Sequence, residues 1–497
     1  MSGLPGPMTH HASARVVLLG AALLSGGCTV GPDYVRPAVE TPAAFKEAQN
    51  WKVAQPRDNA PRDRWWEAFG DPMLNDLVAQ VEINNQNVKF AEANVRQARA
   101  LTDQARSAFF PTVTGNASAT RAGGQRGAGN TSNSGVDGGG GRGPVNLYNL
   151  SLDATWELDL WGRVRRNVES SEAAAQASVA DLGGATLSAQ ALLAQDYLLL
   201  RVQDADIDLL NSTAAAYEKS LQLTRNQYAV GVAGRSDVVL AETQLKSTQA
   251  QAINAGVQRA ALEHAIAVLM GKPPSEFSIA PEPLKRNFPD IPPGVPSDLM
   301  ERRPDIAAAE RRTAAANAQI GVAEAAFFPT VTLSATGGFA SSAVSNLFSA
   351  PARYWSVGAA LAQTLFDAGL RQAQTAQAIA AYDANVATYR QTVLGGFQEV
   401  EDNLAALRLL EQQAAVQDEA VRAARESVTI TMNQYRAGTA NYIAVVVVQA
   451  ALLNNERAAV TILGQRYAAS VALIRALGGG WSPKEAAPQT ASSKAGS

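Results

Sequence analysis

The sequence predicts an α+β membrane protein in which one set of strands and long helices occurs twice along the chain. Three observations lead to this fold class. Two short motifs recur in the same order in both halves of the chain. Four segments alternate polar and apolar residues with period two, as strands with two different faces do. Two long segments without proline carry apolar residues every seven positions, as packed helices do.

The repeat is defined by the motifs AFFPT and NQY. Residues 108–112 recur as 326–330, and Asn226-Gln227-Tyr228 before Gly231 recurs as Asn433-Gln434-Tyr435 before Gly438. Each half predicts the order helix, strand, loop, strand, long helix, glycine turn, helix. We expect a first repeat over 71–270, a proline-rich connector over 271–303, a second repeat over 304–477 and a disordered tail over 478–497.

The four predicted strands alternate over about ten residues each, which is typical of strands in outer-membrane barrels. A half-buried sheet of a soluble sandwich alternates as well, so one such strand alone would be weak evidence. The apolar positions are Val113, Gly115, Ala117 and Ala119 in the first strand; Tyr148, Leu150, Leu152, Ala154, Trp156 and Leu158 in the second; Val331, Leu333 and Ala335 in the third; and Trp355, Val357, Ala359, Leu361 and Leu365 in the fourth.

Four strands cannot close a membrane barrel. An open edge in lipid leaves backbone groups unpaired at several kcal/mol each, and known barrels begin at about eight strands. The barrel must therefore be shared among copies of the chain: two copies are the minimum, and three would give about twelve strands. The Gly/Ser/Asn-rich stretch 121–144 is expected to be a loop on the outer surface.

The long helices are predicted over 164–230 and 371–437, each reaching about 100 Å if helical throughout. Their heptad ladders indicate coiled-coil packing. From the helices alone, a coiled coil without a pore is an equally good interpretation, and the strands argue against it. The ladders are Val179, Thr186, Leu193, Leu200, Ile207, Ala214, Leu221 and Tyr228, and Val386, Val393, Val400, Leu407, Ala414, Val421, Val428 and Tyr435.

The composition favours neither an enzyme nor a nucleic-acid-binding protein. The chain has 42 basic and 45 acidic residues, so there is no excess of positive charge to bind a nucleic acid. Three histidines and one cysteine offer little material for a metal site or a thiol nucleophile. We find no catalytic constellation and no motif for a cofactor, and expect none.

The N-terminus resembles a secretory signal. Arg15 precedes an apolar run over 16–24, and small residues then lead to Cys28. We predict a signal peptide over 1–27 and a lipidated, extended segment over 28–70, with Cys28 as the acylated residue. An incidental cysteine is the alternative, because Ser25 stands where lipoprotein signals usually carry a branched apolar residue. After Cys28 no apolar run is long enough for a transmembrane helix.

Four further segments carry a family resemblance: CTVGPDYVRP from Cys28; Trp65-Trp66 with Phe69, Asp71 and Leu74; WELDLWGR from Trp156; and PSDLMERRPDI from Pro296, continuing through Ala309-Glu310-Arg311-Arg312 to Ala326-Phe327-Phe328-Pro329. Together with the features above, they resemble the TolC-like outer-membrane efflux protein family, in particular the lipoprotein branch that serves resistance–nodulation–division pumps. The resemblance implies a homotrimer with a twelve-stranded β-barrel, four strands per chain, continued by a long periplasmic α-helical coiled-coil barrel with a small equatorial domain. It also implies docking to a periplasmic adaptor protein and an inner-membrane pump.

By the same resemblance, the two glycine turns form the periplasmic tip, where adaptors dock and the pore narrows. An interhelical turn that needs only glycine is the alternative. The expected adaptor-contacting residues are Gly231, Val232, Ala233, Arg235, Gly438, Thr439 and Ala440.

The expected gate follows from the residues after the second turn. In the lipoprotein branch an apolar residue and, four positions later, an aspartate form the narrowest ring, which corresponds to Ile443 and Val447 here. Val447 departs from that pattern and predicts a dry apolar constriction, unless these valines simply pack between helices. Asp237 could supply an acidic ring or interact with its own helix N-terminus. The tyrosines before the turns, Tyr228 and Tyr435, complete the candidates.

The sequence thus predicts the outer-membrane exit duct of a tripartite efflux system for small molecules such as drugs or toxic compounds. A duct for metal-ion efflux or type I protein secretion is the alternative in the same class. A periplasmic coiled-coil scaffold lipoprotein without a pore is the alternative from another class.

Overall fold

The computed structural model describes residues 29–48, 64–123, 144–284, 288–289, 291 and 299–481. The predicted signal peptide and Cys28 lie outside these residues, as do most of the 121–144 loop, parts of the connector and the end of the tail. The main elements are α1 (Pro72–Asn84), α2 (Gln86–Ser107), β1 (Thr112–Ala122), β2 (Val145–Leu158), α3 (Arg163–Ala229), α4 (Arg235–Leu269), α5 (Leu299–Arg302), α6 (Pro304–Ala325), β3 (Thr330–Ser341), β4 (Arg353–Ala362), α7 (Leu370–Arg436) and α8 (Tyr442–Ala476).

The chain divides into two compact units. The sheet unit comprises Met1–Arg36, Ala98–Ala175 and Arg312–Asn385, and the helical unit comprises Pro37–Gln97, Gln176–Arg311 and Val386–Ser497. The predicted order of helix, strand, strand, long helix and helix is confirmed in both repeats.

The sheet unit holds one antiparallel sheet with the strand order β1-β2-β3-β4. The strand register aligns the polar positions of neighbouring strands. Asp153 of β2 pairs with Thr114 of β1 and with Thr336 of β3, so the polar residues share one face of the sheet. The other face is apolar and uncovered in the single chain, with Leu152 63% and Trp355 77% exposed. The predicted polar and apolar faces of the sheet are therefore confirmed, and the apolar face is not the inner face of a soluble sandwich.

The fourth strand ends earlier than its alternation suggested. Leu365 was expected in the apolar series, but β4 ends at Ala362 and Leu365 is 89% exposed. The chain turns there to begin α7: Ala368 has a positive φ of 53°, and the Asp367 carboxylate accepts hydrogen bonds from the backbone N–H groups of Gly369 and Arg371. The Asp367 cap begins α7 at this point, so the chain turns here. The alternating pattern alone would have extended the strand to Leu365.

The long helices α3 and α7 each have 67 residues, so the prediction of two long uninterrupted helices is confirmed. The heptad ladders lie on their packed faces: Leu193, Leu200, Val393 and Val400 have 0% exposed surface. The last residue of the first ladder, Tyr228, does not lie on the packed face, because it is 45% exposed.

The core of the helical unit includes part of the N-terminal segment. Phe45, Trp65, Trp66 and Phe69 are buried in one cluster with residues of α1, α3, α7 and α8. The predicted extended segment 28–70 also contains two short 3-10 helices, Lys46–Ala48 and Trp65–Phe69. The first is fixed by the Glu401 carboxylate, which accepts the N–H groups of Lys46 and Glu47 at 2.6 and 2.9 Å.

The predicted disordered tail begins too early. Gly478, Gly479 and Gly480 all have positive φ and turn the chain back onto α3. A Cβ atom at Gly183 would overlap the ring of Trp481, so this glycine is needed for close packing. The prediction is wrong for 478–481, and 482–497 lie outside the described residues.

Helix α8 also corrects an expectation about apolar runs. Among the described residues it is the one helix long and apolar enough, by length and composition only, to cross a membrane. Its inner side is nevertheless packed in the helical unit, where Tyr442, Val445, Leu453 and Tyr467 are buried.

Candidate functional site

Both turns between long helices have the same hydrogen-bonded geometry. At the end of α3, Gly231 has φ +80°, the Val232 N–H donates to the Gln227 carbonyl (2.8 Å), and the Gly231 N–H donates to the Tyr228 carbonyl (3.0 Å). The end of α7 repeats this arrangement at Gly438, which has φ +72°. These are Schellman motifs, in which a left-handed glycine lets the last carbonyls of the helix find donors.

The turns expose most of the residues expected to contact an adaptor. Gly231, Arg235, Gly438 and Thr439 are exposed, Ala233 and Ala440 are half-buried, and Val232 is 70% exposed. Val230, which directly precedes Gly231, is exposed to a similar extent. The first turn therefore presents two neighbouring valine side chains, whereas the second presents small and polar groups.

The two helices that leave the turns are capped differently. The Asp237 carboxylate accepts the backbone N–H of Gly234 at 3.2 Å, at the start of α4. At the equivalent place in the second repeat the Asn441 side chain accepts the N–H of Ala444 at 3.1 Å. Of the two roles considered for Asp237, the geometry supports the interaction with its own helix N-terminus.

Four helix ends meet in one buried cluster next to the turns, which we call the tip core. A hydrogen-bond network crosses it: the Tyr435 hydroxyl donates to Thr224 Oγ1 (3.2 Å), and the Tyr217 hydroxyl donates to the Gln449 carbonyl (3.1 Å). The rings of Tyr435 and Tyr442 are 5.3 Å apart between centroids. The tip core consists of Ala214, Tyr217 and Leu221 of α3, Val238, Ala241 and Leu245 of α4, Tyr435 of α7, and Tyr442 and Val445 of α8.

The tip core removes Tyr435 from the list of gate candidates. Its side chain is only 6% exposed, so it is an interior packing residue, and the prediction that it lines the gate is wrong. Its repeat equivalent Tyr228 is 45% exposed and remains a candidate. The two tyrosines occupy the same place in the sequence repeat but meet different neighbours.

Burial also fixes the ionisation of the two core tyrosines. Loss of hydration raises the pKa of the Tyr442 hydroxyl to about 12, and it raises the pKa of Tyr435 as well. Both hydroxyls are therefore neutral at physiological pH and act as ordinary hydrogen-bonding groups.

The first turns of α8 have two distinct sides. Tyr442, Val445 and Gln449 point into the tip core, while Ile443 is 57% and Val447 63% exposed. Residues four apart lie on one helical face, so Ile443 and Val447 form a small apolar patch on the outside of the single chain. The alternative that all the valines pack between helices holds within the chain for Val445, which is completely buried, and not for Val447.

The polar residues that lie in and beside the tip core were not predicted from the sequence. Thr224 and Gln449 are buried, and Tyr217 and Tyr442 have almost no exposed surface. The spacing of Tyr442, Val445 and Gln449 is that of a buried helical face and could have indicated the inward side of α8.

A second feature lies in the sheet unit, beside the end of β2. The Val30 N–H donates to the Trp161 carbonyl (3.1 Å), and Arg166 donates to the carbonyls of Val30 and Gly31 and to the Asp33 carboxylate. Gly162 has φ +83°, and a Cβ there would be 3.1 Å from the Thr29 Cα. Thr29, the residue that follows Cys28, is thus held against the turn after β2.

Among the described residues, no three or more of His, Cys, Asp and Glu are grouped so that they could hold a metal ion. The features that remain are an uncovered apolar sheet face, two exposed glycine turns and an apolar patch at the start of α8.

The family model for outer membrane efflux proteins matches residues 77–272 and 295–479. The chain is 32% identical to the toluene efflux pump outer membrane protein TtgF of Pseudomonas putida, over 97% of this chain and 99% of that protein. It is 31% identical to the probable efflux pump outer membrane protein TtgC of Pseudomonas putida, over 93% and 94%. The solved outer-membrane channel OprN is similar with a TM-score of 0.84, 34% identity, and coverage of 91% of this chain and all of that one.

The fold is that of the trimeric TolC-like outer-membrane channels, in which four strands from each of three chains complete a twelve-stranded barrel. This assembly accounts for the unpaired edges of β1 and β4 in the described chain, because each edge can pair with a neighbouring copy. The same relationship excludes a scaffold without a pore. The chain belongs to the outer membrane efflux protein family and is an outer-membrane channel of an efflux system.

Proposed function

We propose that this channel is the exit duct of a resistance–nodulation–division pump and that its cargo is small, largely apolar molecules. The observation that carries the proposal is the 32% identity, over nearly the full length of both chains, to a protein named for toluene efflux. The uncharged patch of Ile443 and Val447 also supports it, because an apolar neck is a weaker obstacle to an apolar molecule than to an ion.

The cargo can be tested in a strain from which the gene for this channel is deleted and which is then complemented with this chain. We expect complementation to raise tolerance to toluene and to apolar antibiotics and to leave tolerance to Cu²⁺ and Zn²⁺ unchanged. Restored metal tolerance, or restored secretion of a protein, without any change in solvent or drug tolerance would replace the proposal by metal-ion efflux or type I secretion. Co-purification with a periplasmic adaptor and inner-membrane pump, identified by mass spectrometry, tests the pump class.

We propose further that Ile443 and Val447 form the periplasmic constriction, with Tyr228 beside it. Three copies of this exposed apolar pair would make a ring that closes by packing and by the cost of hydrating a narrow apolar neck. Asp237 contributes no free acidic ring in this proposal, because its carboxylate caps α4.

The two turns are the proposed adaptor contacts. Val230 and Val232 project from the first turn, and Gly231, Ala233, Arg235, Gly438, Thr439 and Ala440 complete the surface. Exposed apolar side chains on a rigid Schellman turn suit a contact surface, because little conformational entropy is lost when it is covered.

Cys28 is the proposed acylation site. Hydrogen bonds hold the residues after Cys28 beside the end of a membrane strand: Val30 donates to Trp161 in the turn after β2, and Gly31 and Asp33 accept from Arg166 at the start of α3. An acyl chain attached at Cys28 would therefore start close to the lipid that surrounds the barrel.

A further inference from the structure

The polar face of the sheet carries a carboxylate that is bound by neutral donors. Asp153 Oδ2 accepts hydrogen bonds from Asn116 Nδ2 (2.7 Å) and Ser151 Oγ (2.8 Å), and Oδ1 accepts one from Thr336 Oγ1 (2.7 Å). The three donors lie on β1, β2 and β3. Since every partner donates, the carboxyl group acts only as an acceptor, which is the hydrogen-bonding behaviour of its ionised form.

Within the part of the chain that the structure describes, the Asp153 carboxylate is bound by neutral side chains only. The other acidic residue on this face of β2, Glu157, is held by Arg163 through two bonds of 3.0 and 2.7 Å. Among the residues that the structure describes, no lysine or arginine forms such a pair with Asp153. The two carboxylates, four residues apart, therefore differ: one belongs to an ion pair and the other is a net charge.

Because the sheet is part of a lipid-embedded barrel, the Asp153 carboxylate lies on the side of the lumen. The apolar face, with Val113, Leu152, Trp355 and Val357 largely exposed in the single chain, must meet lipid, so the face with Asp153 lines the lumen. Threefold assembly then brings three Asp153 carboxylates to one height in the barrel. A water-filled lumen with low-dielectric walls concentrates the field of such a ring.

We propose that Asp153 determines the charge selectivity of the barrel, by forming a ring of three carboxylates that concentrates cations in the lumen and repels anions. The ring would favour apolar molecules that carry a positive charge over those that carry a negative one. The hydrogen bonds to Asn116, Ser151 and Thr336 hold the charges at fixed positions on the wall. The inference rests on the polar face lining the channel and is independent of which pump supplies the cargo.

A charged thiol probe measures this potential directly. Cys28 is the chain's single cysteine, so Cys28→Ser with Ser356→Cys gives one reporter thiol. Ser356 is exposed, pairs with Thr336 in the sheet register, and lies on the same face as Asp153, two strands away. The purified trimer would be treated with a cationic and an anionic methanethiosulfonate of similar size, and both modification rates followed by intact-protein mass spectrometry. Their ratio cancels any change in the reactivity of the thiol itself.

One carboxylate about 10 Å away in water changes the local concentration of a monovalent ion about twofold. It raises the concentration of a cation and lowers that of an anion. We therefore expect Asp153→Asn to lower the cation-to-anion rate ratio by about fourfold or more in 10 mM salt, and by much less in 0.5 M salt. Thr336→Val is the matched control, because it removes one hydrogen bond to Asp153 and no charge. It should leave the ratio nearly unchanged.

Three outcomes would overturn the proposal. An unchanged ratio in Asp153→Asn would show that the carboxylate does not set the potential. An equal fall in Thr336→Val would assign the effect to the hydrogen-bond network. Failure of both reagents to modify the reporter thiol would show that the polar face is not open to water. A drug-tolerance assay cannot give this result, so the two proposals are tested separately.

Discussion

Tyr435 and Thr224 join the two helical hairpins of the chain, α3–α4 and α7–α8, through a buried hydrogen bond of 3.2 Å between their side-chain oxygens. Thr224 in turn donates to the Ser220 carbonyl within α3, at 3.0 Å. The end of α7 is therefore fastened to α3 close to both turns. A movement that separates the hairpins at the tip must break this bond or carry both helices together.

Removal of that bond should weaken the tip without unfolding it. Tyr435→Phe keeps the ring against Tyr442 and loses the hydroxyl, so we expect a loss of about 1 kcal/mol of stability. Thermal dissociation of the detergent-solubilised trimer, followed by light scattering, measures it. Tyr228→Phe is the control, because that side chain is 45% exposed and the substitution should change the midpoint little. Equal shifts for the two variants would contradict a structural role specific to Tyr435.

The gate proposal predicts how the resting channel responds to divalent ions. We expect the unmodified protein in a planar bilayer to show low conductance that added Mg²⁺ or Ca²⁺ changes little. Val447→Asp should introduce block by these ions, because three facing carboxylates attract them. Val447→Asn has a similar shape without the charge and should not be blocked.

Strong divalent block of the unmodified channel would contradict the apolar gate. Asp237 would then be the acid to test next, because the cap it provides to α4 leaves its side chain partly exposed. Loss of the block in Asp237→Asn would assign the acidic ring to that residue.

The two turn glycines should tolerate asparagine better than alanine. Gly231 and Gly438 have positive φ and open space where a Cβ would stand, so the cost of a side chain is backbone strain and not a clash. We expect Gly438→Ala to lower stability by about 1–2 kcal/mol and Gly438→Asn by less, since asparagine adopts the left-handed conformation more readily. Trimer dissociation temperatures compare the two. Equal losses would indicate that the adaptor-free tip needs glycine for a reason other than φ.

Burial of Tyr442 predicts the alkaline limit of the tip core. Its pKa is raised to about 12 from the ordinary value near 10, so the folded state holds the hydroxyl proton more tightly than the unfolded state. The resulting stability is fully present below pH 10 and is lost as the pH rises towards 12. Dissociation temperatures measured between pH 8 and 12 should fall above pH 10, and Tyr442→Phe should fall less steeply. Parallel curves for the two proteins would exclude Tyr442 as the source.

Acylation at Cys28 can be tested apart from barrel assembly. Cys28→Ser should abolish labelling by a radioactive or clickable fatty acid, while the trimer still forms and inserts, because the strands carry their own apolar face. Ser25→Leu, which restores the usual apolar residue before the cysteine, should label at least as well as the unmodified chain. Labelling that persists in Cys28→Ser would move the lipid to another residue.

Local patterns in the sequence determined the repeat, the faces of the four strands, the two 67-residue helices and the glycine turns. They could do so because period two, heptad spacing and a left-handed glycine are properties of a residue and its near neighbours. A barrel shared among copies of the chain followed as well, since unpaired strand edges are not tolerated in lipid. The number of three copies came from the family resemblance.

Tertiary structure alone decided which members of equivalent pairs are buried. Tyr228 and Tyr435 occupy the same position in the repeat, yet only Tyr435 meets Thr224 and Tyr442 on neighbouring helices. The same holds for Val445 and Val447, which belong to a run of four valines. They are two residues apart and face opposite sides of α8. Trp481 likewise lies in a sequence that looks unstructured, and packs because Gly183, nearly 300 residues earlier, leaves room for its ring. Burial of these residues depends on contacts between distant segments, and no periodicity within one segment encodes them.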